Sequence, residues 1–278
     1  MSGKVFLITG CTTGFGQHYV DVALENGHKV VATSRKPENL PKFKAATGDN
    51  FLAVALDVTS KDSIDEAFKA ALDKFKKIDI VCNNAGFGLS GVFESLSEKQ
   101  IRMQMEVNFF GLMWVTKKAV QVMREQKTGG KIQQVTSIGG QTGVPLFTSY
   151  CASKWAVEGF TDALRGELKP EWKIQLTCIE PGGFRTEWAG SSMIFGEEDA
   201  PAYDHLNARE AMGKRNGTQA GDPPKGARAM YEVAMMEEPP YRIVLGSDAY
   251  QRIMQKIEDY GKLYPKYEKL SKSTDVEE

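Results

Sequence analysis

Cysteine and histidine are scarce in this chain, and the few present are scattered. Its 278 residues hold four cysteines, Cys11, Cys82, Cys151 and Cys178, and three histidines, His18, His28 and His205. No Cys-x-x-Cys pair occurs and no histidine adjoins a cysteine, so the thiols read as reduced and neither a disulfide framework nor a metal site is expected. A dominant charge is missing as well. With 35 Lys+Arg against 36 Asp+Glu the formal net charge is −1, which leaves no global field to draw in nucleic acid or an acidic membrane. No apolar run approaches the length of a membrane span. Met1-Ser2-Gly3-Lys4 leads into a strand-like stretch and not into a signal peptide, so a cytoplasmic protein is expected. There is no internal repeat and no linker. At 41% hydrophobic and 26% charged, the chain is long enough to bury a full core without staples.

The first patterned stretch is Lys4 to Thr9, an apolar run of strand length followed at once by Gly10-Cys11-Thr12-Thr13-Gly14-Phe15-Gly16. A helical pattern with Tyr19, Val20, Ala23 and Leu24 on one face comes next and stops at Asn26-Gly27. Strand, glycine turn and helix in this order form the opening unit of a dinucleotide fold. The glycines let the backbone approach a pyrophosphate, whose charge meets free N–H groups at the helix start. His28 to Thr33 reads as a second strand and runs into Ser34-Arg35-Lys36. A carboxylate near this strand end would bond both ribose hydroxyls of NAD, whereas arginine accommodates a 2′-phosphate. No Asp or Glu stands between Val30 and Pro37, so Arg35 with Ser34 favours NADP(H) over NAD(H). The competing reading makes Arg35 and Lys36 solvated loop charges.

Phe51 to Leu56 and Ile78 to Cys82 read as further strands. The first ends in Asp57-Val58, where the carboxylate is placed to meet an adenine amino group, and the second ends in Asn83-Asn84-Ala85-Gly86, whose small residues admit a ribose. Ser97 with Gln100 forms a capping box for one long helix to about Gln126, and Asn108 sits inside it, where asparagine is unfavourable and asks for a reason. Lys131 to Thr136 is a fifth strand with Ser137 at its C-terminal end, the edge where ligands bind in open α/β sheets. A helix from about Thr148 to Leu168 then carries Tyr150 and Lys154 four residues apart, on one face. A phenol with a pKa near ~10 is a poor acid or base at neutral pH, and a fixed cation beside it pulls that value toward the working range. Alone, such a pair more often marks a core edge and a solvated charge. Trp172 to Ile179 is a sixth strand, followed by Pro181-Gly182-Gly183-Phe184-Arg185-Thr186. Residues 187–221 lose regularity and are expected to form a mobile substrate lid. A helix Pro224 to Met236, a strand Tyr241 to Leu245 and a helix Asp248 to Tyr260 complete the chain, with a frayed tail over 265–278.

Taken together, Thr9-Gly10-x-x-x-Gly14-x-Gly16, Asp57, Asn83-Asn84-Ala85-Gly86, Asn108, Ser137, Tyr150-x-x-x-Lys154 and Pro181-Gly182-x-x-x-Thr186 resemble the short-chain dehydrogenase/reductase family over essentially the whole chain. Less specifically, the stretch after Pro181 is similar to the hydroxysteroid-dehydrogenase-like branch. The resemblance implies a single α/β domain over 1–278, doubly wound and Rossmann-type, with a mostly parallel seven-stranded sheet flanked by helices. It implies Tyr150 as acid/base, Ser137 orienting a carbonyl, Lys154 holding the nicotinamide ribose while lowering the Tyr150 pKa, and Asn108 organising a water-based proton relay. The cofactor would touch Thr9, Gly10, Thr12, Gly14, Phe15, Gly16, Ser34, Arg35, Asp57, Val58, Asn84, Ala85, Gly86, Tyr150, Lys154, Pro181, Gly182, Phe184 and Thr186. A homodimer or homotetramer through the helices of 97–126 and 148–168 is implied as well.

For substrate, Phe87, Leu89, Val92 and Phe93, then Leu146 and Phe147, then Phe184, Trp188, Met193, Ile194 and Phe195 are expected to converge above the cofactor. They favour a bulky apolar carbonyl compound or secondary alcohol, although aromatic side chains in a lid often pack only against the protein. Cys11 and Cys151 read as small packing residues. Two rival functions fit the same fold: non-redox chemistry reusing Ser137 and Tyr150, and an NADP(H)-sensing, partner-binding protein. The first would be free to lose Lys154 or the glycine turn and the second Tyr150 or Asn108, yet the chain keeps all of them.

Overall fold

Every residue of Val5–Ile8 (β1) is enclosed, which requires both faces of its sheet to be covered. A computed structural model describes residues 3–276 and shows how the covering is built. After β1 come Gly14–Glu25 (α1), Lys29–Ser34 (β2), Phe51–Ala55 (β3), Lys61–Phe75 (α2), Ile80–Asn83 (β4), Gly88–Ser90 (β5), Glu98–Met105 (α3), Leu112–Glu125 (α4) and Gly130–Val135 (β6). Thr148–Glu167 (α5), Ile174–Pro181 (β7), Met193–Phe195 (β8), Ala208–Arg215 (α6), Pro223–Met235 (α7), Arg242–Leu245 (β9), Ser247–Leu263 (α8) and Glu268–Lys272 (α9) follow. Seven strands form one sheet in the order β3-β2-β1-β4-β6-β7-β9, and every pairing is parallel. The order reverses between β1 and β4. The loops leaving their C-terminal ends therefore part in opposite directions and open a crevice there.

The apolar core is divided by the sheet. On one face Phe6, Ile8 and Ile80 pack with Tyr19, Val20 and Ala23 of α1 and Met230 and Val233 of α7. On the other, Val5, Leu7 and Val81 pack with Ile64 and Phe68 of α2 and Val115, Ala119 and Met123 of α4. The stripe read in the sequence for α1, Tyr19, Val20, Ala23 and Leu24, is its buried face. Among the described residues no helix is long and apolar enough to cross a membrane.

Three stretches differ from the sequence reading. The helix expected from Ser97 to Gln126 starts with the expected capping box but is broken in its middle by a π-helical turn, Glu106–Gly111. Wider turns of this kind are rare and concentrate at functional sites. Here the turn carries the Asn108 side chain to the main chain of Phe87, while Gly111 meets Val58, whose Cγ2 would lie 2.7 Å from any Cβ added at 111. Second, residues 187–221 are not devoid of regular structure, since they contain β8 and α6. Strand β8 pairs in parallel with β5, in the register Gly88↔Met193, Leu89↔Ile194 and Ser90↔Phe195. Neither three-residue strand is long enough to show an alternating pattern in the sequence. Third, α8 runs on to Leu263, and Tyr264–Tyr267 and α9 continue helical turns past residue 265. Glu277 and Glu278 of the expected tail lie outside the described residues.

Candidate active site

The crevice between β1 and β4 widens into a cleft of about 2110 Å³. One end is built by the glycine turn. Gly10 and Gly14 have φ of +72° and +60°, a region that favours residues without a Cβ, and a Cβ on Gly10 would lie 2.9 Å from Ala85 Cα. Thr13, the residue before α1, makes no side-chain cap and the first turn carries no acid, so the helix start presents bare N–H groups to the cleft. By contrast α2, α3 and α7 are capped by Ser60, Ser97 and Asp222. Beside the turn, Ser34 and Arg35 line the same cleft, as do Lys36 and Asn39; Asp57 and Val58 line it from the end of β3. Uncapped N–H groups at the end of this cleft fit the pyrophosphate of a dinucleotide.

Most of the residues expected to touch a cofactor line this cleft: Gly10, Thr12, Gly14, Phe15, Ser34, Arg35, Asp57, Val58, Asn84, Ala85, Gly86, Pro181, Gly182, Phe184 and Thr186, with Tyr150 and Lys154. Thr9 and Gly16 do not, and they stand behind the wall. The Thr9 hydroxyl accepts from the N–H groups of Asn84 (3.0 Å) and Ala85 (2.9 Å), which clamps the β4 turn against the glycine turn. Gly16 lets α1 approach the same turn, since a Cβ there would lie 2.6 Å from Asn84 Nδ2. Asn84 in turn donates to the carbonyls of Thr9 and Gly10. Phe15 meets Phe184 edge-on with centroids 4.8 Å apart, closing the floor between the two loops.

At the other end stand Ser137, Tyr150 and Lys154. Ser137 extends from the end of β6, where its hydroxyl accepts from Gly139 N–H (3.0 Å). Tyr150 and Lys154 lie one turn apart in the first half of α5, both buried, and Lys154 Nζ donates to the Val135 carbonyl (2.8 Å). Their spacing puts Nζ 5.8 Å from the phenol ring centre. The anticipated lowering of the Tyr150 pKa by Lys154 is not what this environment produces. Burial pushes the phenol up to about 12; the Ser137 hydroxyl works against this, Cys151 adds to it, and the Arg215 charge opposes it. Burial likewise pushes Lys154 down to about 8, with the Glu158 carboxylate pulling it back up. Desolvation outweighs the opposing contacts because both groups are buried in the cleft wall.

Asn108 does not line the cleft. Its Nδ2 donates to Phe87 O (3.0 Å) and its Oδ1 accepts from Phe87 N–H (3.1 Å), so the amide braces the strand that follows the Asn84 turn. It ends a row of amides one helical turn apart. Gln104 Nε2 also donates to Phe87 O and Gln104 Oε1 accepts from Leu89 N–H, while Gln100 Nε2 donates to Phe195 O. This gives the mid-helix asparagine its reason.

The three expected apolar segments do converge. Besides the β5–β8 pairing, Gly91 N–H donates to Leu146 O (2.9 Å). Tyr150, Phe147 and Trp188 form an aromatic cluster, with Trp188 5.1 Å from the Tyr150 ring and stacked on Phe147 at 5.6 Å. Phe87, Phe147, Phe184, Trp188 and Ile194 line the cleft. Leu89, Val92, Phe93, Leu146, Met193 and Phe195 do not line it; Phe93 is exposed to solvent and Leu89 and Met193 are buried in the packing around it. Unforeseen from the sequence are Ile101, Met105 and Val107 from the α3 side, and Arg215 and Gln219 from the stretch after β8. The π turn displaces the first group from any simple helical pattern, and nothing local in Lys214-Arg215-Asn216-Gly217 distinguishes Arg215 from a solvated charge.

The family model for short chain dehydrogenases matches residues 4–193. An uncharacterized oxidoreductase of Schizosaccharomyces pombe is 40% identical over 256 residues, covering 92% of this chain and 86% of the relative. The 3-ketodihydrosphingosine reductase of Bacteroides thetaiotaomicron is 34% identical over 252 residues, covering 88% and 89%. A short-chain dehydrogenase crystal structure from Streptomyces avermitilis superposes with a TM-score of 0.88 at 33% identity, covering 99% of this chain and 100% of that one.

Proposed function

The chain belongs to the short-chain dehydrogenase family of NAD(P)(H)-binding oxidoreductases, and from that premise we propose that it is an NADP(H)-dependent enzyme reducing the carbonyl, or oxidising the corresponding secondary alcohol, of a bulky apolar molecule. The observation that carries this reading is the placement of Ser137, Tyr150 and Lys154 on the wall of one cleft whose far end is the glycine turn with Ser34 and Arg35.

When bound, the nicotinamide supplies or accepts the hydride. The rest of the work falls to this chain. The N–H groups at the start of α1 would hold the pyrophosphate and Arg35 the 2′-phosphate, while Lys154 would hold the ribose nearest Tyr150. The Ser137 hydroxyl donates to the substrate oxygen and Tyr150 gives that oxygen its proton as negative charge develops there. A phenol held near 12 stays protonated at neutral pH, which suits the acid role that carbonyl reduction needs. Trp188 and Phe147 shield the reacting centre from water, in keeping with residues 187–221 serving as a substrate lid. The name of the Bacteroides relative, a reductase of a long-chain ketone, supports an apolar carbonyl substrate. Trp155 of α5, 44% exposed, offers aromatic surface on a helix through which a homodimer or homotetramer would assemble.

The test compares thermal stabilisation by NADPH and NADH, then follows nicotinamide absorbance against apolar ketones, aldehydes and alcohols. Stronger stabilisation by NADPH together with turnover of a ketone is the expected result. Equal stabilisation would remove the role given to Arg35, and no turnover across the panel would remove the redox reading.

A further inference from the structure

Arg215 ends α6 as a half-buried cation that lines the cleft. Among the described residues it forms no ion pair within 4.0 Å. Its guanidinium lies over the loop that leaves β7, where Nη2 would be 3.2 Å from a Cβ added at Gly183. The nearby carboxylate, Asp248, is used elsewhere: its Oδ2 accepts from Gly183 N–H (2.8 Å). Gln219 lies over the same glycine, with Cγ 3.4 Å from that added Cβ. It is 7% exposed, lines the cleft, and its Oε1 is enclosed with no hydrogen-bond partner. A buried amide oxygen without a partner is unfavourable, and beside it stands a half-buried cation that forms no ion pair. One ligand carboxylate can engage donors on both side chains. A carboxylate accepts the two parallel N–H bonds of a guanidinium fork, and the amide of Gln219 can turn its NH₂ toward the same oxygens.

We propose that Arg215 and Gln219 are the recognition site for a carboxylate carried by the substrate, which is then an oxo acid, or the matching hydroxy acid, with an apolar body. The carbonyl lies at Tyr150, the body lies against Phe147, Trp188 and Ile194, and the carboxylate reaches the segment after β8. The assignment rests on the carbonyl-reducing reading of the same cleft. It places Arg215 at the Tyr150 end, where its charge already acts on the phenol, and not at the Arg35 end. The competing occupant is the cofactor's pyrophosphate.

Binding separates the two without relying on turnover. Protein saturated with NADP⁺ is titrated with decanoate and with decanol, by calorimetry, for the wild type and for Arg215→Met, Arg215→Lys and Gln219→Leu. Decanoate is expected to bind at least tenfold more tightly than decanol, in the range of a charge-assisted hydrogen bond. Arg215→Met should abolish that ratio and Arg215→Lys should keep only part of it, while NADP⁺ affinity changes less than threefold. Gln219→Leu, which leaves the helix end intact, should lower the ratio as well. Equal binding of decanoate and decanol to the wild type overturns the proposal. So does a tenfold loss of NADP⁺ affinity in Arg215→Met with the decanoate-to-decanol ratio unchanged, which would assign Arg215 to the pyrophosphate. In a second arm, oxo acids from 5-oxohexanoate to 10-oxoundecanoate and their methyl esters are offered with NADPH. Turnover without preference for the acids refutes the carboxylate site alone. No turnover with decanoate selectivity retained refutes the redox reading and leaves the site standing.

Discussion

At Tyr150 and Lys154 one physical effect, burial, acts with opposite sign on an acid and a base and leaves both closer to neutral. Lys154, brought down to about 8, is an ammonium below that pH and an amine above it. Carbonyl reduction at saturating NADPH should therefore fall as pH rises through about 8, and a flat kcat/KM from pH 7 to 10 would show that the loaded site holds the proton. Tyr150→Phe removes the proposed proton donor and keeps the ring packed on Trp188, so turnover should drop by about 10²–10⁴ while NADPH still binds. Retained turnover would take the acid role from Tyr150. Arg35→Glu replaces the proposed phosphate partner with a repelling charge, and the ratio of NADPH to NADH affinity should fall by roughly 10–100-fold; an unchanged ratio would mean that Arg35 does not read a phosphate.

Behind the site, the elements are joined by charges the sequence did not announce. Arg242 of β9 pairs with Asp162 of α5 at 2.8 Å and lies 3.9 Å from both Glu158 of α5 and Glu180 of β7. Glu180 is buried, and desolvation with the Glu158 charge beside it pushes its carboxyl up to about 7, against the pull of Arg242 and the Gln141 amide. A carboxyl raised in the folded state binds its proton more tightly there than in the unfolded chain. Its contribution to stability is thus full below the ordinary carboxylate range and is lost as pH climbs to about 7. Glu180→Gln should raise the thermal midpoint at pH 8 relative to wild type, with the gain shrinking toward pH 4.5; a constant difference across that window would contradict the shifted Glu180. Parallel strands buried on both faces are continuous apolar runs such as Val5–Ile8, and helices such as α2 repeat their apolar residues every turn, so both are written locally. So is the cofactor end, because the backbone geometry of Gly10 and Gly14 demands a residue type. Strands β5 and β8 exist only through each other, and Arg215 and Gln219 matter only through what the fold sets beside them. For β5 and β8 that information is spread over more than a hundred residues of chain.

For the molecule as a whole, a ligand that spans the cleft joins loops from both halves of the sheet and should stabilise them as one unit. NADPH at about a hundred times its Kd adds about 2.7 kcal/mol, which for a chain of this size is a rise of roughly 5–10 °C in midpoint. A scan with and without NADPH checks this, and two separate transitions would show that the halves melt independently. The π turn at Glu106–Gly111 has a reach of the same order. Before it, Gln100 and Gln104 of α3 face β8 and β5; after it, Val115, Ala119 and Met123 of α4 face the main sheet. The turn is a phase shift in an otherwise continuous helix, and its size is a count of residues and not a matter of their identity. The π turn absorbs one residue, so removing one between 106 and 111 would restore ordinary α-helical bonding with the faces of α3 and α4 close to where they are, whereas removing one from the first turn of α4 would rotate everything downstream by about 100°. The second deletion would turn Ala119 and Met123 of α4 away from the sheet, and the first would give up chiefly the local reach of Asn108 to Phe87. A single-residue deletion in α4 is therefore expected to lower the thermal midpoint more than one in the π turn.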